Sequence, residues 1–293
     1  MNYSKSNITN FIDVDIELYF ATEILKLKSL HYGYWKKGEK LTIKNLQNAQ
    51  KRYTDVLTKN IPKGVEAILD VGSGIGDNAR ALTKIGYAVT ALSPDKEHEK
   101  YYKKLKKVKF QNITFEDFNE NRKYDLVLMS ESQNYFDAET GLKQSARYLK
   151  NGGYLLISGK FRIKNTPEYE NIINVEGDYI RKALKYSFML EKQLDITDNI
   201  LPTLKLARLI YRDYYVPTKH FLIYYLDSLI GIKYRIIKFI SSLILSDQII
   251  RISNLEKYYL DYTDPEKFRK FAKYSVLLFR YWKKDLAAEE QNL

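Results

Sequence analysis

The sequence predicts an α/β fold built on a mainly parallel sheet with helices on both faces. Three observations predict it. From Val65 onward, short apolar runs alternate with helix-like stretches. One of these runs, "EAILDVG", leads into three alternating glycines and then a helix-like segment, "GSGIGDNARAL". Ahead of residue 61 the apolar positions recur at helical spacing instead.

Taken in order, "IDVDIELYFATEILKLK" (12–28) and "TIKNLQNAQKRYTDVLTKN" (42–60) predict two helices. In the second, Leu46, Ala49, Tyr53, Val56 and Leu57 share one face. Between them lies "HYGYWKKGEK", an aromatic loop punctuated by glycine. The strand candidates that follow are "EAILDVG", "AVTALS", "VKFQNITF", "YDLVLMS" and "GGYLLISGKF". Helical stretches separate several of them: "DNARALTKIG", "PDKEHEKYYKKL" and "AETGLKQSARYLKNGG". The last of these meets a stop signal at Lys150–Asn151–Gly152–Gly153. Two more strand-like runs, "FMLEKQLDIT" and "YSVLLFRYWKK", flank a greasy helical segment, 199–271, that reads as an insertion. The expected organisation is an N-terminal helical lid (1–60), a core (61–198 and 272–293) and a helical cap (199–271).

The 293 residues and 45% hydrophobic content allow a packed core of this size. The absence of cysteine excludes disulfides, iron–sulfur ligation, thiolate zinc sites and a cysteine nucleophile. No uninterrupted apolar stretch approaches the ~18 residues of a membrane span. The start, "MNYSKSNITNFIDVD", lacks the pattern of a secretory signal, so a cytoplasmic protein is expected. The net charge of +12 suits a nucleic-acid or anionic-membrane partner, or simply a solvated lysine-rich surface.

A glycine loop between strand and helix lets backbone approach a ligand, and the helix N–H groups favour a polar or anionic group there. Gly74-x-Gly76-x-x-Ala79 would satisfy the looser dinucleotide fingerprint. Asp70, two residues before the first glycine, argues otherwise: its carboxylate repels a pyrophosphate but attracts an ammonium or a sulfonium. Asp77 at the helix start adds to that repulsion. The following strand ends in Ser93, with its acid, Asp95, two residues later than a ribose-binding acid would stand.

At these residues the sequence resembles the class I S-adenosylmethionine-dependent methyltransferases. "LDVGSGIGDNA" is similar to their first motif, and the strand–helix order from Val65 to Phe161 follows theirs. The resemblance implies a Rossmann-like, seven-stranded methyltransferase sheet and S-adenosyl-L-methionine as cofactor. It implies that Asp70, Gly72, Gly74 and Gly76 cradle the methionine part. Ser93 occupies the ribose position, where the family carries an acid, and Asp95 can substitute. "TFEDF" places Asp117 and Phe118 where adenine is bound, the alternatives being a helix cap and a core residue. In "LVLMSESQNYF", Ser130, Glu131 and Gln133 would face the sulfonium and the acceptor, with Glu131 a candidate catalytic carboxylate or else a turn cap.

"LHYGYW" resembles an N-terminal loop of natural-product, tocopherol and cyclopropane-synthase-like methyltransferases. His31, Tyr32, Tyr34 and Trp35 would then close over cofactor and substrate. The alternative is a hydrophobic clasp between two helices. His31 is the first candidate for a general base, His220 the second, and His98 reads as a solvated side chain. No metal cluster is visible.

The greasy cap suits an apolar or lipid-like acceptor, and its basic residues suggest peripheral contact with an anionic membrane. A plain helical bundle is the alternative. The expectation is transfer of a methyl group to a small hydrophobic acceptor, oxygen first. Cyclopropane-synthase-like, carbon or nitrogen transfer follows. RNA 2′-hydroxyl methylation and nicotinamide redox chemistry stand behind these.

Overall fold

The computed structural model describes residues 16–230 and 259–283. Residues 12–15 of the predicted first helix and 231–258 of the predicted cap lie outside the described residues.

Helix α1 (Ile16–Tyr19) runs into a single wider turn, Phe20–Ile24. Helix α2 (Ile43–Lys59) starts where Thr42 Oγ1 accepts from the Asn45 amide at 3.1 Å. Its predicted stripe is buried at Leu46, Ala49, Tyr53 and Leu57, and Val56 packs at its margin. The seven strands are β1 (Ala67–Val71), β2 (Ala88–Leu92), β3 (Val108–Gln111), β4 (Tyr124–Ser130), β5 (Leu149–Arg162), β6 (Phe188–Asp195) and β7 (Ala272–Tyr281). They form one sheet in the order β3-β2-β1-β4-β5-β7-β6. β1 to β5 pair in parallel, and β7 lies antiparallel between β5 and β6.

The connections are α3 (Asp77–Lys84), α4 (Glu99–Tyr102), α5 (Ala138–Tyr148) and α6 (Glu176–Lys185). α7 (Thr197–Ile210), α8 (Val216–Ile230) and α9 (Pro265–Phe271) stand between β6 and β7. Because β1 is buried along its whole length, its alternating side chains enter two cores. Ile68 belongs to the core that holds Tyr53, Leu57, Ala79, Leu82, Ile200 and Leu204, on the face covered by α2, α3 and α7. Leu69 and Val71 belong to the core that holds Leu142, Tyr148, Tyr179 and Ala183, on the face covered by α5 and α6.

Two local expectations change. Helix α5 ends at Tyr148, and Leu149 is already extended, so the Lys150–Gly153 stretch belongs to β5. Gly152 at φ +78° lets the strand turn near its register shift against β4. Helix α6 was not expected; only Tyr179 and Ala183 mark its inward face at helical spacing, too few to stand out from its lysines. No described helix is long and apolar enough to cross a membrane.

Candidate active site

A cavity of about 710 Å³ opens at the carboxyl ends of β1, β2 and β4. That is where strand order switches direction, the place ligands take in open parallel sheets. His31, Asp70, Gly72, Gly74, Ser93, Asp95, Ser130 and Glu131, all predicted site residues, line it. Ser73, Asp77, Asn78, His98 and Tyr135 join them.

The three loop glycines have positive φ but different neighbours. A Cβ on Gly72 would stand 2.4 Å from the Ser132 Cβ, and one on Gly76 would stand 2.8 Å from the Tyr102 ring. A Cβ on Gly74 meets only Leu30, at 3.8 Å. Gly74 therefore leaves room on the cavity side, whereas Gly72 and Gly76 let the loop pack. Gly76 does not line the cavity; it starts α3. Ser73 anchors the loop by donating from its amide to the Leu92 carbonyl at 2.9 Å, and Tyr102 donates to the Ser73 hydroxyl at 2.6 Å.

Asp70 is 1% exposed, and neither carboxylate oxygen has a hydrogen-bond partner among the described residues. Burial first, and then repulsion from Asp77, push its pKa up to about 8. A buried carboxyl without a donor is costly, and such a group facing a cavity points to a cationic ligand.

Asp77 is paired. Its Oδ2 lies 2.7 Å from His31 Nε2, while His31 Nδ1 lies 2.7 Å from the Tyr32 carbonyl. A carbonyl can only accept, so Nδ1 carries a proton, and the nearby Asp77 carboxylate favours a second proton on Nε2. The arrangement favours the imidazolium form. Burial works against the charge on His31, yet Asp77 outweighs it and holds the pKa above 6.5. On Asp77 burial acts upward, but His31 wins and holds the carboxylate below its usual range. With both ring nitrogens occupied, His31 cannot serve as the expected general base in this arrangement; it ties the N-terminal segment to the glycine-loop helix.

Glu131 is held in the left-handed region at φ +63°, where β4 ends. Its amide donates to the Ser158 carbonyl at 2.7 Å. Its Oε1 accepts from the Tyr32 amide at 2.8 Å and from the Tyr274 hydroxyl at 2.6 Å. Tyr274 in turn shares a 2.9 Å bond with Tyr53, whose hydroxyl also reaches Ser130 Oγ at 3.1 Å and Ser158 Oγ at 2.9 Å. Burial and then the Glu131 charge raise the pKa of both phenols, so both stay protonated.

Ser93 Oγ lies 2.8 Å from His98 Nδ1. Asp95 accepts from the Glu97 amide, starting a short turn that folds His98 back over Ser93. His98 is therefore a cavity residue, not the solvated side chain expected.

Other expected residues stand elsewhere. Phe118 is fully buried beside Tyr148 and Phe115, on the far face of the sheet, so its ring does not reach the cavity. Asp117 accepts from the Thr114 hydroxyl at 2.8 Å in an exposed turn and does not line the cavity either. Gln133 is buried, donating to the Lys160 carbonyl across Gly159. The aromatic loop divides. Trp35 is buried with Leu46, Ala49 and Leu206, and its indole N–H donates to Thr203 at 2.9 Å. Gly33 sits against Ala49 and Tyr34 donates from its amide to the Ala49 carbonyl, so these residues form the interhelical clasp. Tyr32 borders the site only through its amide; its ring turns toward Tyr274 and Lys160. His220 is exposed on α8.

A family described as a methyltransferase domain matches residues 69–157, which run from the glycine strand through β5. Those residues resemble a methyltransferase domain. A ribosomal protein L11 methyltransferase from Campylobacter concisus is 32% identical over 149 residues, 47% of this chain and 51% of that protein. The chain thus spans about half the length of the curated relative it matches. Solved structures share the whole fold at low identity. The cyclopropane synthase MmaA2 from Mycobacterium tuberculosis is 13% identical, with 92% of this chain and 95% of that one covered at a TM-score of 0.64. The geranyl diphosphate C-methyltransferase from Streptomyces coelicolor, solved with S-adenosyl-L-homocysteine, is 15% identical, with 91% and 96% covered and a TM-score of 0.61. The cyclase SpnF is 14% identical, with 92% and 95% covered and a TM-score of 0.63. The fold is that of the class I methyltransferases, as the sequence resemblance implied.

The cavity residues fit S-adenosylmethionine, the cofactor that the sequence resemblance implies. Asp70 offers an unpartnered buried carboxylate to an ammonium, Gly74 leaves backbone open, and Ser93, Asp95 and His98 offer polar groups to a ribose.

Proposed function

We propose that this chain transfers a methyl group from S-adenosylmethionine to a small hydrophobic or lipid-like acceptor, with oxygen the accepting atom. Bound there, S-adenosylmethionine supplies an electrophilic methyl group. Asp70 holds the cofactor's ammonium, and Ser93, Asp95 and His98 hold its ribose. Glu131 orients the acceptor and takes its proton. Both hydrogen bonds to Glu131 fall on Oε1, so Oε2 is left to accept from an acceptor hydroxyl at the cavity wall.

The single observation that carries this reading is the pair of carboxylates on one cavity, Asp70 buried without a donor and Glu131 held in a strained turn. A hydrophobic acceptor is supported by α8, whose Phe221, Leu222, Tyr224 and Tyr225 are exposed. The same face suits contact with a lipid surface, from which such an acceptor would be drawn. The geranyl diphosphate enzyme shows that this fold accommodates a terpenoid chain.

Labelled methyl transfer into lipid extract, polar metabolites, total RNA and ribosomes tests the reading. Incorporation into the lipid or apolar fraction supports it. Incorporation only into RNA or ribosomal protein overturns the acceptor class, and binding of NADPH without any response to S-adenosylmethionine overturns the cofactor.

A further inference from the structure

Lys160 stands near the carboxyl end of β5, opposite Tyr274 of β7 in the sheet register. Its ammonium lies 5.2 Å from the centre of the Tyr32 ring and 5.0 Å from that of Tyr262. It donates one hydrogen bond, to the Tyr262 hydroxyl. An ammonium has three donors, so two are unspent. No carboxylate among the described residues lies in ion-pair range of it, unlike Lys273 on the next strand, which reaches Glu176 at 2.6 Å. Two aromatic faces favour the charge, and the Glu131 carboxylate acts on it from beyond contact distance. The Lys160 carbonyl is fixed as well, accepting from the side-chain amides of Gln133 and Asn134 at 2.9 Å each.

The position of this cation relative to the site is what gives it meaning. Tyr32 links the two: its amide is bonded to Glu131, and its ring lies under Lys160. Tyr274 links them again, donating to Glu131 while its ring packs on Tyr32. Lys160 is therefore linked to Glu131 through one residue, Tyr32 or Tyr274, while lying outside the cavity lining itself. A partly buried cation with no carboxylate in direct contact, set near Glu131 and against two aromatic rings, keeps donors that an anion can use.

The geometry points to Lys160 as the recognition group for an oxyanion on the acceptor, a carboxylate or a phosphate carried on an apolar chain. Tyr262 and Tyr32 form the walls of this subsite, and the Tyr262 hydroxyl orients the ammonium. This inference rests on the methyltransferase reading for its place in the reaction, but the subsite itself does not require it.

Calorimetry with the purified chain, alone and with S-adenosylhomocysteine, tests it with decyl phosphate, decanoate and decanol. The expected result is that one or both anions bind at least tenfold tighter than decanol, with phosphate over carboxylate or the reverse naming the headgroup. Lys160→Met removes that difference, Lys160→Arg keeps it, and both variants bind S-adenosylhomocysteine within about twofold of the parent. Equal binding of decanol and the anions, or an anion preference that survives in Lys160→Met, overturns the subsite. Failure of the parent to bind S-adenosylhomocysteine overturns the methyltransferase reading instead and leaves the anion comparison standing. Should Lys160→Met not fold, Tyr262→Phe is expected to weaken anion binding while leaving decanol unaffected, and no change there overturns the subsite.

Discussion

His31 Nε2 lies 2.7 Å from Asp77 Oδ2, joining the segment before α2 to the first turn of α3 at the wall of the cavity. The imidazole faces an acceptor on each side, a carbonyl at one nitrogen and a carboxylate at the other, which favours its charged form. Other groups facing His31 are Glu131, the Tyr53 ring at 4.3 Å and Thr54.

The pair makes the closed arrangement pH-dependent. The raised pKa of His31 means its contribution is full below about 6.5, the unfolded value, and is lost as pH rises through the higher folded value. The lowered pKa of Asp77 means its contribution is present above 3.8 and is lost as pH falls through the folded value. Between those limits the latch is closed. Amide hydrogen exchange in residues 29–35 is expected to quicken above the folded pKa of His31. Asp77→Asn should drop that pKa, read by NMR titration, and cost about 1–3 kcal/mol of stability near pH 6. An unshifted His31 in that variant would refute the latch.

Much of this was legible in the sequence. Asp70 and the loop glycines stand at fixed offsets from an apolar run, and the family resemblance points to Ser130 and Glu131; the cavity brings Asp70, Gly72, Gly74, Ser130 and Glu131 together. His98 could not be found, because nothing in "DKEHEKYYKK" shows that the turn begun by Asp95 brings it back over Ser93. Phe118 takes the core alternative, which the sequence left open because an aromatic residue after a strand looks the same whether it faces a purine or the core. Tyr53, Tyr274 and Lys160 come from α2, β7 and β5, and only the sheet order unites them with Glu131. Side chains joined by tertiary pairing leave no local spacing to read.

Asp70 makes cofactor binding proton-linked. With its pKa pushed up to about 8, the carboxyl is mostly protonated at neutral pH and must ionise to hold an ammonium. The affinity for S-adenosylhomocysteine is expected to rise about tenfold per pH unit toward pH 8 and then level off. Calorimetry at pH 7 in buffers of different ionisation enthalpy should report release of about one proton. The folded pKa lies above the unfolded value, so ligand-free stability falls as pH rises between 3.8 and about 8. Asp70→Asn should abolish binding yet stabilise the free protein by at least about 1 kcal/mol at pH 9.

The glycine loop should separate packing from binding. Gly72→Ala brings a methyl group 2.4 Å from the Ser132 Cβ, and Gly74→Ala brings one no nearer than 3.8 Å to Leu30. Both carry the strain of a positive φ, about 1 kcal/mol. Gly72→Ala is expected to lose a further ~1–3 kcal/mol by overpacking, seen as a lower melting temperature. Gly74→Val, with the larger side chain turned to the cavity, should keep most of the stability and lose cofactor affinity. Equal destabilisation of Gly72→Ala and Gly74→Ala would show that the Ser132 contact yields easily.

Glu131 is the position where structure and chemistry can be told apart by substitution. Its backbone is strained at φ +63°, and its side chain accepts from two buried donors, the Tyr32 amide and the Tyr274 hydroxyl. Glu131→Gly relieves the strain, worth about 1 kcal/mol, but leaves two donors unsatisfied, worth about 1–3 kcal/mol each. A net loss of stability is expected in thermal or urea unfolding. Glu131→Gln keeps an oxygen for both donors and should melt within about 0.5 kcal/mol of the parent. What it cannot do is accept a proton. If Glu131 is the base that receives the acceptor's proton, Glu131→Gln should bind S-adenosylhomocysteine as the parent does while methyl transfer falls about 10²–10⁴-fold. A variant that retains full transfer would reduce Glu131 to a buttress for Tyr32 and Tyr274, and would leave alignment alone to drive the reaction.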